Sequence, residues 1–462
     1  MRSVSGTSWG ANKQTLLMIY KALIRSVLDY GCTAYNTASE DVKTKLDKIQ
    51  AQALRISCCA MKCTSIAALQ VECGEMPLRL RRESLQNKYG IKIKTTVDHP
   101  TADILKQNIN ISKKKTPFAK ETQKFLNQIP LTAGPLVGKT PPWHHKTIKP
   151  IFELHKQIDK NSSPTVVKQT VLALFAQYNG FVKIYTDGSK NAEGVVGAAY
   201  FIASLGIKRS LRLSDNVSIY TAEMIAIQQA LLFVLHHKIK QTIIVTDSLS
   251  VLQSIESGVS HTRPNLLEEL KCITTQISQR NGNMIFIWVP AHCGIIGNEC
   301  EDKLAKGALA NKQIDKIVPL ELKEAYAVVD EGIGAAWQRE WTNNKKGRAL
   351  FEIEPHATNK IKYSNIAREK ETCITRMRLG KCYLKSYFHK IAVHATGLCL
   401  HCSKPETIDH YLFDCLNNTE LTNRLQRQCQ VLRLPMTKGN ILSNTQLSNT
   451  LYNFIKSQER RI

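Results

Sequence analysis

Short β-branched apolar runs in the middle of the chain predict buried strands, and two of these runs end in an acid. The run 181–186 is followed by Asp187, and the run 242–246 is followed by Asp247. Both runs are rich in Val, Ile and Thr and lead into turn-forming residues, which is typical of strands. Functional groups collect where strands end and loops begin. The two carboxylates are therefore candidates for a common site.

Two more acids lie in segments whose apolar periodicity predicts helices. Glu223 lies in the first turn of a predicted helix, near the favourable end of the helix dipole. The apolar face of that helix is formed by Ile227, Ala230, Leu231 and Val234. Asp302 follows Asn298 and Glu299 into another predicted helix. The apolar face expected to hold this second helix against a sheet is formed by Leu304, Ala305, Ala308 and Leu309.

Four carboxylates brought together would repel one another and raise each other's pKa unless cations occupied the site. The implied occupant is a hard metal ion, because Mg²⁺ prefers oxygen ligands. Two such ions about 4 Å apart stabilise both the attacking and the leaving oxygen of a phosphodiester displacement. A single Asp after a strand is more often a turn or cap residue. Four acids in this arrangement favour the metal site instead.

The motifs around these acids resemble those of type-1 ribonuclease H. They are Thr-Asp-Gly-Ser at 186–189, Thr-Ala-Glu at 221–223, Thr-Asp-Ser at 246–248, and Trp-Val-Pro-Ala-His-Cys-Gly-Ile-Ile-Gly-Asn-Glu at 288–299 followed by Asp302. The resemblance covers roughly residues 180–312. It implies an α/β fold, with a mixed five-stranded sheet and flanking helices. Two departures occur, since Ala291 replaces a common Gly and Glu301 replaces a small residue.

The resemblance also implies a set of functional residues. The Mg²⁺ ligands would be Asp187, Glu223, Asp247 and Asp302, binding two ions for which Mn²⁺ is expected to substitute. His292 would assist proton transfer or product departure, although a loop histidine is often only a surface residue. The expected substrate contacts are Gly188, Ser189 and Asn216. The remaining acids nearby, Glu193, Glu299 and Glu301, are expected to be solvated or capping, with Glu301 the one able to perturb the metal site.

Charge is distributed unevenly along the chain. The formal net charge is +25, yet residues 181–310 contain 12 Lys and Arg against 11 Asp and Glu, a net charge of +1. The excess therefore lies in the flanks. Nucleic acid is the economical partner, because phosphate neutralisation with counterion release supplies most sequence-independent affinity. The alternative is that the lysines only keep exposed helices soluble.

Location and redox state are constrained by what the sequence lacks. No run of 18 apolar residues occurs, and the first residues lead into no apolar signal core. We expect an intracellular protein that is neither secreted nor bound to a membrane, in the nucleus or the cytoplasm. Fourteen cysteines in 462 residues are too sparse for a disulfide framework. Cys58, Cys59 and Cys63 are expected to be inert core residues.

The flanks before residue 179 divide into a helical part and a looser part. Apolar stripes at 16–28 and 46–56, and a basic helix beginning near Pro77, predict helices over residues 1–94. The stretch 23–31 with 76–78 resembles the thumb of a non-LTR (LINE-type) retrotransposon reverse transcriptase. The polymerase active site of that family needs an Asp-Asp pair, and the chain contains none. Residues 95–178, with few periodic signals, are predicted to be a basic linker.

The C-terminal region carries a possible zinc motif. Cys399, Cys402, His410 and Cys415 have the spacing C-x2-C-x7-H-x4-C, and four such ligands close a tetrahedron around Zn²⁺. The alternative is a set of free cysteines in a helical tail. Other residues that could be mistaken for ligands are Cys373, Cys382, His394 and His401. With the preceding run 375–380, the arrangement resembles the tail of LINE-type open reading frames that carry ribonuclease H.

The predicted domain order follows from these signals. It is a thumb-like remnant at 1–94, a linker at 95–178, a ribonuclease H domain at 179–312, a helical connection at 313–395, a CCHC zinc motif at 396–420 and a helical tail at 421–462. The expected activity is hydrolysis of the RNA strand of an RNA–DNA hybrid, leaving 5′-phosphates. Two alternatives remain, namely a non-catalytic nucleic-acid-binding remnant of a retrotransposon protein and a structure-selective or integrase-like nuclease of the same fold.

Overall fold

The computed structural model describes residues 1–96, 98–103, 117–131, 141–145, 147–157, 163–360 and 366–458. The chain forms two compact units. The first contains Met1–Asn87, Ile111–Glu121 and Val329–Ile462, and the second contains Lys88–Asn110 and Thr122–Val328.

The second unit is built on a five-stranded mixed sheet. Its strands are β1 (Val182–Lys190), β2 (Val196–Ile202), β3 (Ile207–Leu213), β4 (Gln241–Thr246) and β5 (Asn283–Trp288). The strand order is β3-β2-β1-β4-β5. The first three strands pair antiparallel, whereas β4 pairs parallel with both β1 and β5. The predicted mixed five-stranded sheet is therefore confirmed.

Helices cover both faces of this sheet. They are α1 (Ile219–His237), α2 (Leu249–Ser257), α3 (Pro264–Gln279) and α4 (Ile296–Ala308). An added Cβ on Gly188 of β1 would meet α1, and one on Gly197 of β2 would lie 2.5 Å from the Ala305 carbonyl oxygen of α4. Gly197 pairs with Ser189, the next residue after Gly188, and successive residues point to opposite faces. Helices α1 and α4 therefore pack on opposite faces, each through a glycine.

The helix α1 is apolar on nearly every side. By length and composition it could cross a membrane, but 61% of the apolar window is buried inside the protein. It packs against β1, β2 and α3, so both of its sides are covered. A helix that is hydrophobic all round is expected where it is enclosed by protein.

The segment predicted to be a linker contributes to the core of this unit. Ile151 extends the sheet beyond β5, since its N–H donates to the Phe286 carbonyl at 2.8 Å and its own carbonyl accepts from the Trp288 N–H at 3.1 Å. The helix Pro164–Ala176 buries four residues against the sheet face that carries Tyr185, namely Val167, Val171, Leu174 and Phe175. Residues 147–157 and 163–176 thus belong to the domain. Residues 97, 104–116, 132–140, 146 and 158–162 of the predicted linker lie outside the described residues.

The compact unit continues past residue 312, where the predicted domain ends. Glu324 accepts hydrogen bonds from the Ser218 N–H at 2.8 Å and the Thr221 hydroxyl at 2.5 Å, and it forms a buried ion pair with Arg263. Residue 320 donates its N–H to the Pro130 carbonyl at 2.7 Å. This boundary is set by side-chain contacts between residues that are more than 60 positions apart in the sequence, such as Arg263 and Glu324. Local composition does not predict such contacts.

The first unit is helical. Its helices from the N-terminal part of the chain are Lys13–Ile19, Tyr20–Arg25 (a π-helical turn), Ser26–Asp29, Cys32–Tyr35, Glu40–Ser57, Ile66–Cys73 and the first part of Leu78–Thr95. Those from the C-terminal part are the end of Leu322–Asn343, Arg348–Phe351, Arg368–Arg378, Lys385–Lys390, His410–Asp414 (π-helical), Thr419–Val431, Lys438–Ser443 and Thr445–Ser457. Short helices elsewhere include Pro117–Leu126 and Glu153–Gln157.

Buried ion pairs join the two ends of the chain within this unit. Glu72 accepts from Lys13 Nζ at 2.9 Å and from Arg378 Nε at 3.0 Å, and all three side chains are almost fully buried. The Lys13 N–H also donates to Glu371 at 2.6 Å. The zinc motif, the tail and most of the segments expected as a thumb remnant and a connection are therefore parts of one compact unit.

Candidate active site and metal centre

Three of the four predicted acids lie close together, on or beside the two neighbouring internal strands β1 and β4. Asp187 is in β1, Glu223 is in the second turn of α1, and Asp247 follows β4. The parallel register pairs Thr186 with Thr246, so the two aspartates emerge side by side. One carboxylate oxygen from each acid lies within 4.8 Å of the others.

Gly188 makes this close approach possible. A Cβ at this position would lie 2.6 Å from the Glu223 backbone nitrogen and 2.8 Å from the Ala222 Cβ. The absence of a side chain lets α1 contact β1 and brings Glu223 next to Asp187. The expected contact of Gly188 with substrate stays a prediction, and the structure gives this buried glycine a packing role. Ser189 is half-buried beside it.

Asn216, the third expected substrate contact, lies in a turn. It has a left-handed backbone conformation with φ of +67°, and its N–H donates to the Gly194 carbonyl at 2.8 Å. Its side-chain oxygen lies 2.5 Å from the position that a Cβ on Gly194 would occupy. These contacts hold the hairpin that follows β1 against the start of α1.

The electrostatics of the three acids favour a bound cation. Burial, followed by the charges of Asp247 and Asp302, raises the pKa of Asp187 to about 7. Burial and the charge of Asp187 raise the pKa of Glu223 well above its usual range, and burial raises that of Asp247. Among the described residues, Glu223 Oε2 is buried without a hydrogen-bond partner. An all-oxygen donor set with an unsatisfied buried carboxylate oxygen fits a hard divalent ion such as Mg²⁺.

Asp302 lies outside the group of three. It is on α4, and its carboxylate accepts from Lys306 Nζ at 2.8 Å. Its charge nevertheless raises the pKa values of Asp187 and Asp247, so it faces the same site from a greater distance. The exposed ion pair with Lys306 is weak, as pairs at i and i+4 on a helix surface are.

Glu301 is the acid that sequence reasoning placed wrongly. It was expected to be solvated or capping, yet it is 1% exposed and its Oε2 has no partner among the described residues. Burial, and then the charges of the three nearby aspartates, raise its pKa to about 9. The signal was its spacing on α4, where Glu301 shares a face with Gly297, Ala305 and Ala308, all buried. Glu193 and Glu299 are exposed, as expected.

His292 lies in the loop that follows β5. It is exposed and adopts a left-handed backbone conformation with φ of +53°, which is uncommon for a residue other than glycine. Its positive form lowers the pKa of Asp247, so the imidazole is close enough to interact with the acidic cluster. The indole N–H of Trp288 donates to the Asp247 carbonyl at 2.9 Å and connects the start of this loop to the site.

A separate cluster in the helical unit brings the predicted zinc ligands together. The ligand atoms of Cys399, Cys402, His410 and Cys415 lie within 4.8 Å of one another. The sulfur of Cys415 is 3.9 Å from each of the other two sulfurs. Both ring nitrogens of His410 are buried without a partner among the described residues. Three sulfurs and an imidazole with unused nitrogens form a donor set that fits Zn²⁺.

The competing ligands lie elsewhere. Cys373 and Cys382 are buried in an apolar cluster, and burial raises the pKa of each thiol to about 12. His394 Nδ1 accepts from the backbone N–H groups of Thr396 and Gly397, and His401 is exposed.

Comparison with known proteins agrees with the geometry of the second unit. The RNase H family matches residues 179–310. Three Pol polyproteins of equine infectious anemia virus, from strain Wyoming and isolates 1369 and CL22, are each 30% identical to this chain over 165 residues. That match covers 36% of this chain and 13% of each viral polyprotein, so the chain spans only a small part of the length of these relatives. The chain therefore contains an RNase H domain at residues 179–310.

The contact at Gly188 gives a first test. Gly188→Ala should lower the free energy of unfolding by about 1–3 kcal/mol, because the new methyl group overlaps the backbone of α1. Gly307→Ala is the control, since a Cβ there meets nothing within 4 Å and should stabilise α4 by about 0.5–1 kcal/mol. Urea unfolding midpoints measure both effects. Equal midpoints for the two variants would contradict the packing role.

The raised pKa of Asp187 gives a second test. In protein dialysed free of Mg²⁺, the folded state holds this proton up to about pH 7, whereas the unfolded chain releases it near pH 4. Stability should therefore fall as the pH rises from about 4 to 7, and added Mg²⁺ should stabilise more at pH 8 than at pH 5. Urea unfolding at both pH values measures this. Asp187→Asn should flatten both dependences, and an unchanged variant would refute the assignment.

Proposed function

We propose that this protein hydrolyses the RNA strand of RNA–DNA hybrids, leaving 3′-hydroxyl and 5′-phosphate ends. The observation that carries the proposal is the group of three carboxylates, two buried and one half-buried, with raised pKa values at the ends of neighbouring strands in a domain that matches the RNase H family. Other classes of nuclease share the fold, but the loop 288–299 followed by Asp302 favours ribonuclease H.

Asp187, Glu223 and Asp247 would hold the divalent ions, with Asp302 completing the set once it leaves Lys306. Two bound Mg²⁺ ions would stabilise the attacking and leaving oxygens of the phosphodiester, and Mn²⁺ should substitute. Asp187 interacts with the other three acids and is the candidate for the ligand shared by both ions. His292, exposed beside Asp247, would take or return a proton or help the product to leave.

The context proposed for this domain is a fragment of a retrotransposon protein. The Pol polyprotein relatives and the resemblance of the flanks to LINE-type sequences support it. Strand choice would come from contacts with 2′-hydroxyl groups, which only RNA offers. We propose an intracellular location, since nucleic-acid hybrids are the substrate.

Cleavage of a labelled RNA–DNA hybrid tests the activity. Purified protein with Mg²⁺ should cleave the RNA strand, and Asp187→Asn should abolish cleavage because it removes a charge shared by both ions. His292→Ala should slow cleavage by about 10²–10⁴-fold, the usual contribution of proton transfer. Glu193→Gln removes an exposed acid and is the control, with a rate like that of the wild type. A wild-type protein that binds the hybrid without cleaving it would establish the alternative of a non-catalytic binding protein.

We also propose that Cys399, Cys402, His410 and Cys415 bind one Zn²⁺. The buried, unpartnered imidazole of His410 is the observation that carries this proposal. Because the ligands must be deprotonated and ordered, the binding free energy contributes to folding of this part of the chain.

Elemental analysis tests the zinc site. Cys399→Ser/Cys402→Ser should lose one zinc relative to the wild type, while Cys63→Ser, which changes an exposed thiol, should keep it. The difference between variants is the measure, because His145, Glu268 and Cys272 also bring ligand atoms within 4.8 Å of one another. Hybrid cleavage should persist in the double variant, since the two sites use different ligands. An unchanged zinc content would refute the assignment.

A further inference from the structure

A basic cavity lies in the helical unit, and it shares no lining residue with either candidate metal centre. Its volume is about 660 Å³, within the range of pockets that bind small ligands. Six cationic side chains line it, namely Arg2, Lys48, Arg55, Lys62, Arg368 and Arg376. No acidic side chain is among its described lining residues.

Four of these cationic side chains form no ion pair with an acidic residue within the described parts of the chain. They are Arg2, Lys48, Arg55 and Lys62, and Arg55 Nε is buried without a hydrogen-bond partner among the described residues. Elsewhere in this unit basic side chains are commonly paired, as Lys13 and Arg378 are with Glu72. Unpaired like charges facing one cavity repel one another, and an anion would relieve this.

The other two arginines bind the backbone carbonyl groups beside the cavity, whose partial negative charge would repel an anion. The helix Glu40–Ser57 ends at the cavity, and the carbonyls at a helix C-terminus carry partial negative charge. Arg368 donates to the Ser57 and Ile56 carbonyls at 2.5 and 2.7 Å, and Arg376 donates to the Cys59 carbonyl at 3.1 Å. These contacts cover the negative end of the helix. Arg368 also pairs with Glu371 at 3.3 Å, so the field in the cavity is set by Arg376 and the four unpaired cations.

We propose that this cavity binds a nucleic-acid strand through its phosphate groups. Apolar residues between the cations, Ala51, Ile56, Ala60 and Ile66, offer a surface for the sugars and bases of a flexible strand. A concave cavity of this volume suits a few nucleotides of a single strand better than the rigid side of a duplex. The uneven charge of the chain agrees, because the excess of Lys and Arg lies outside residues 181–310. The proposal does not rest on the cleavage activity.

The test uses the full chain and a fluorescently labelled single-stranded DNA, which ribonuclease H chemistry leaves intact. Lys48→Gln/Lys62→Gln removes two exposed, unpartnered cations of the cavity. The matched control, Lys345→Gln/Lys346→Gln, removes two exposed lysines elsewhere in the same unit. Fluorescence anisotropy measures the Kd of each protein over a series of salt concentrations.

The cavity variant should bind about tenfold more weakly at low salt. The slope of log K against log salt should be less steep by about 1.4, since each lost phosphate contact removes about 0.7 for a single strand. The control should match the wild type. Equal losses in both variants, or an unchanged slope in the cavity variant, would overturn the proposal. A loss of the same size with duplex DNA would overturn the assignment to a single strand, and circular dichroism establishes that both variants are folded.

Discussion

The crowding of three carboxylates at one site, two of them buried and one half-buried, is the constraint on which the second unit depends. Asp187, Glu223 and Asp247 would be more stable apart, and burial together raises the pKa of each. The fold holds them in place through parallel pairing of β1 with β4 and through the contact at Gly188. The domain therefore stores an electrostatic cost that a divalent cation can relieve, which makes ion binding favourable at this point of the surface.

The sequence predicted this site because the signals are local. Asp187 and Asp247 each follow a β-branched run, and the two runs are adjacent parallel strands. The burial of Glu301 was not predicted, although its ability to perturb the site was, because that burial depends on a contact that is not local. Gly197 lets α4 lie directly on β2, and this turns the Glu301 face of the helix inward, beside Tyr185. Burial of a charged residue is therefore set by the glycine of a distant strand and not by composition.

The compact unit extends beyond the predicted domain at 179–312 for the same reason. Residues 163–176 were assigned to a linker, although Val167 and Val171 occupy the apolar face that carries Tyr185. The end expected at 312 precedes Glu324, whose carboxylate satisfies the buried guanidinium of Arg263. A fragment limited to 180–312 would expose an apolar face and leave Arg263 as an unpaired buried charge, which is strongly destabilising. The residues needed for a stable domain therefore extend beyond the residues that carry its sequence motifs.

The helical unit shows the same principle over a longer range. Buried charges cost stability unless partners satisfy them, and Arg378 finds its partner in Glu72, more than 300 residues earlier. Tyr411 and Leu412, between the last two proposed zinc ligands, share an apolar cluster with Ile374 and Met377 of the helix Arg368–Arg378. That helix in turn caps the carbonyls beside the basic cavity. Loss of the proposed zinc should therefore disturb more than the residues near the metal, because the apolar cluster of the tail includes the helix Arg368–Arg378, which bonds to the N-terminal helices.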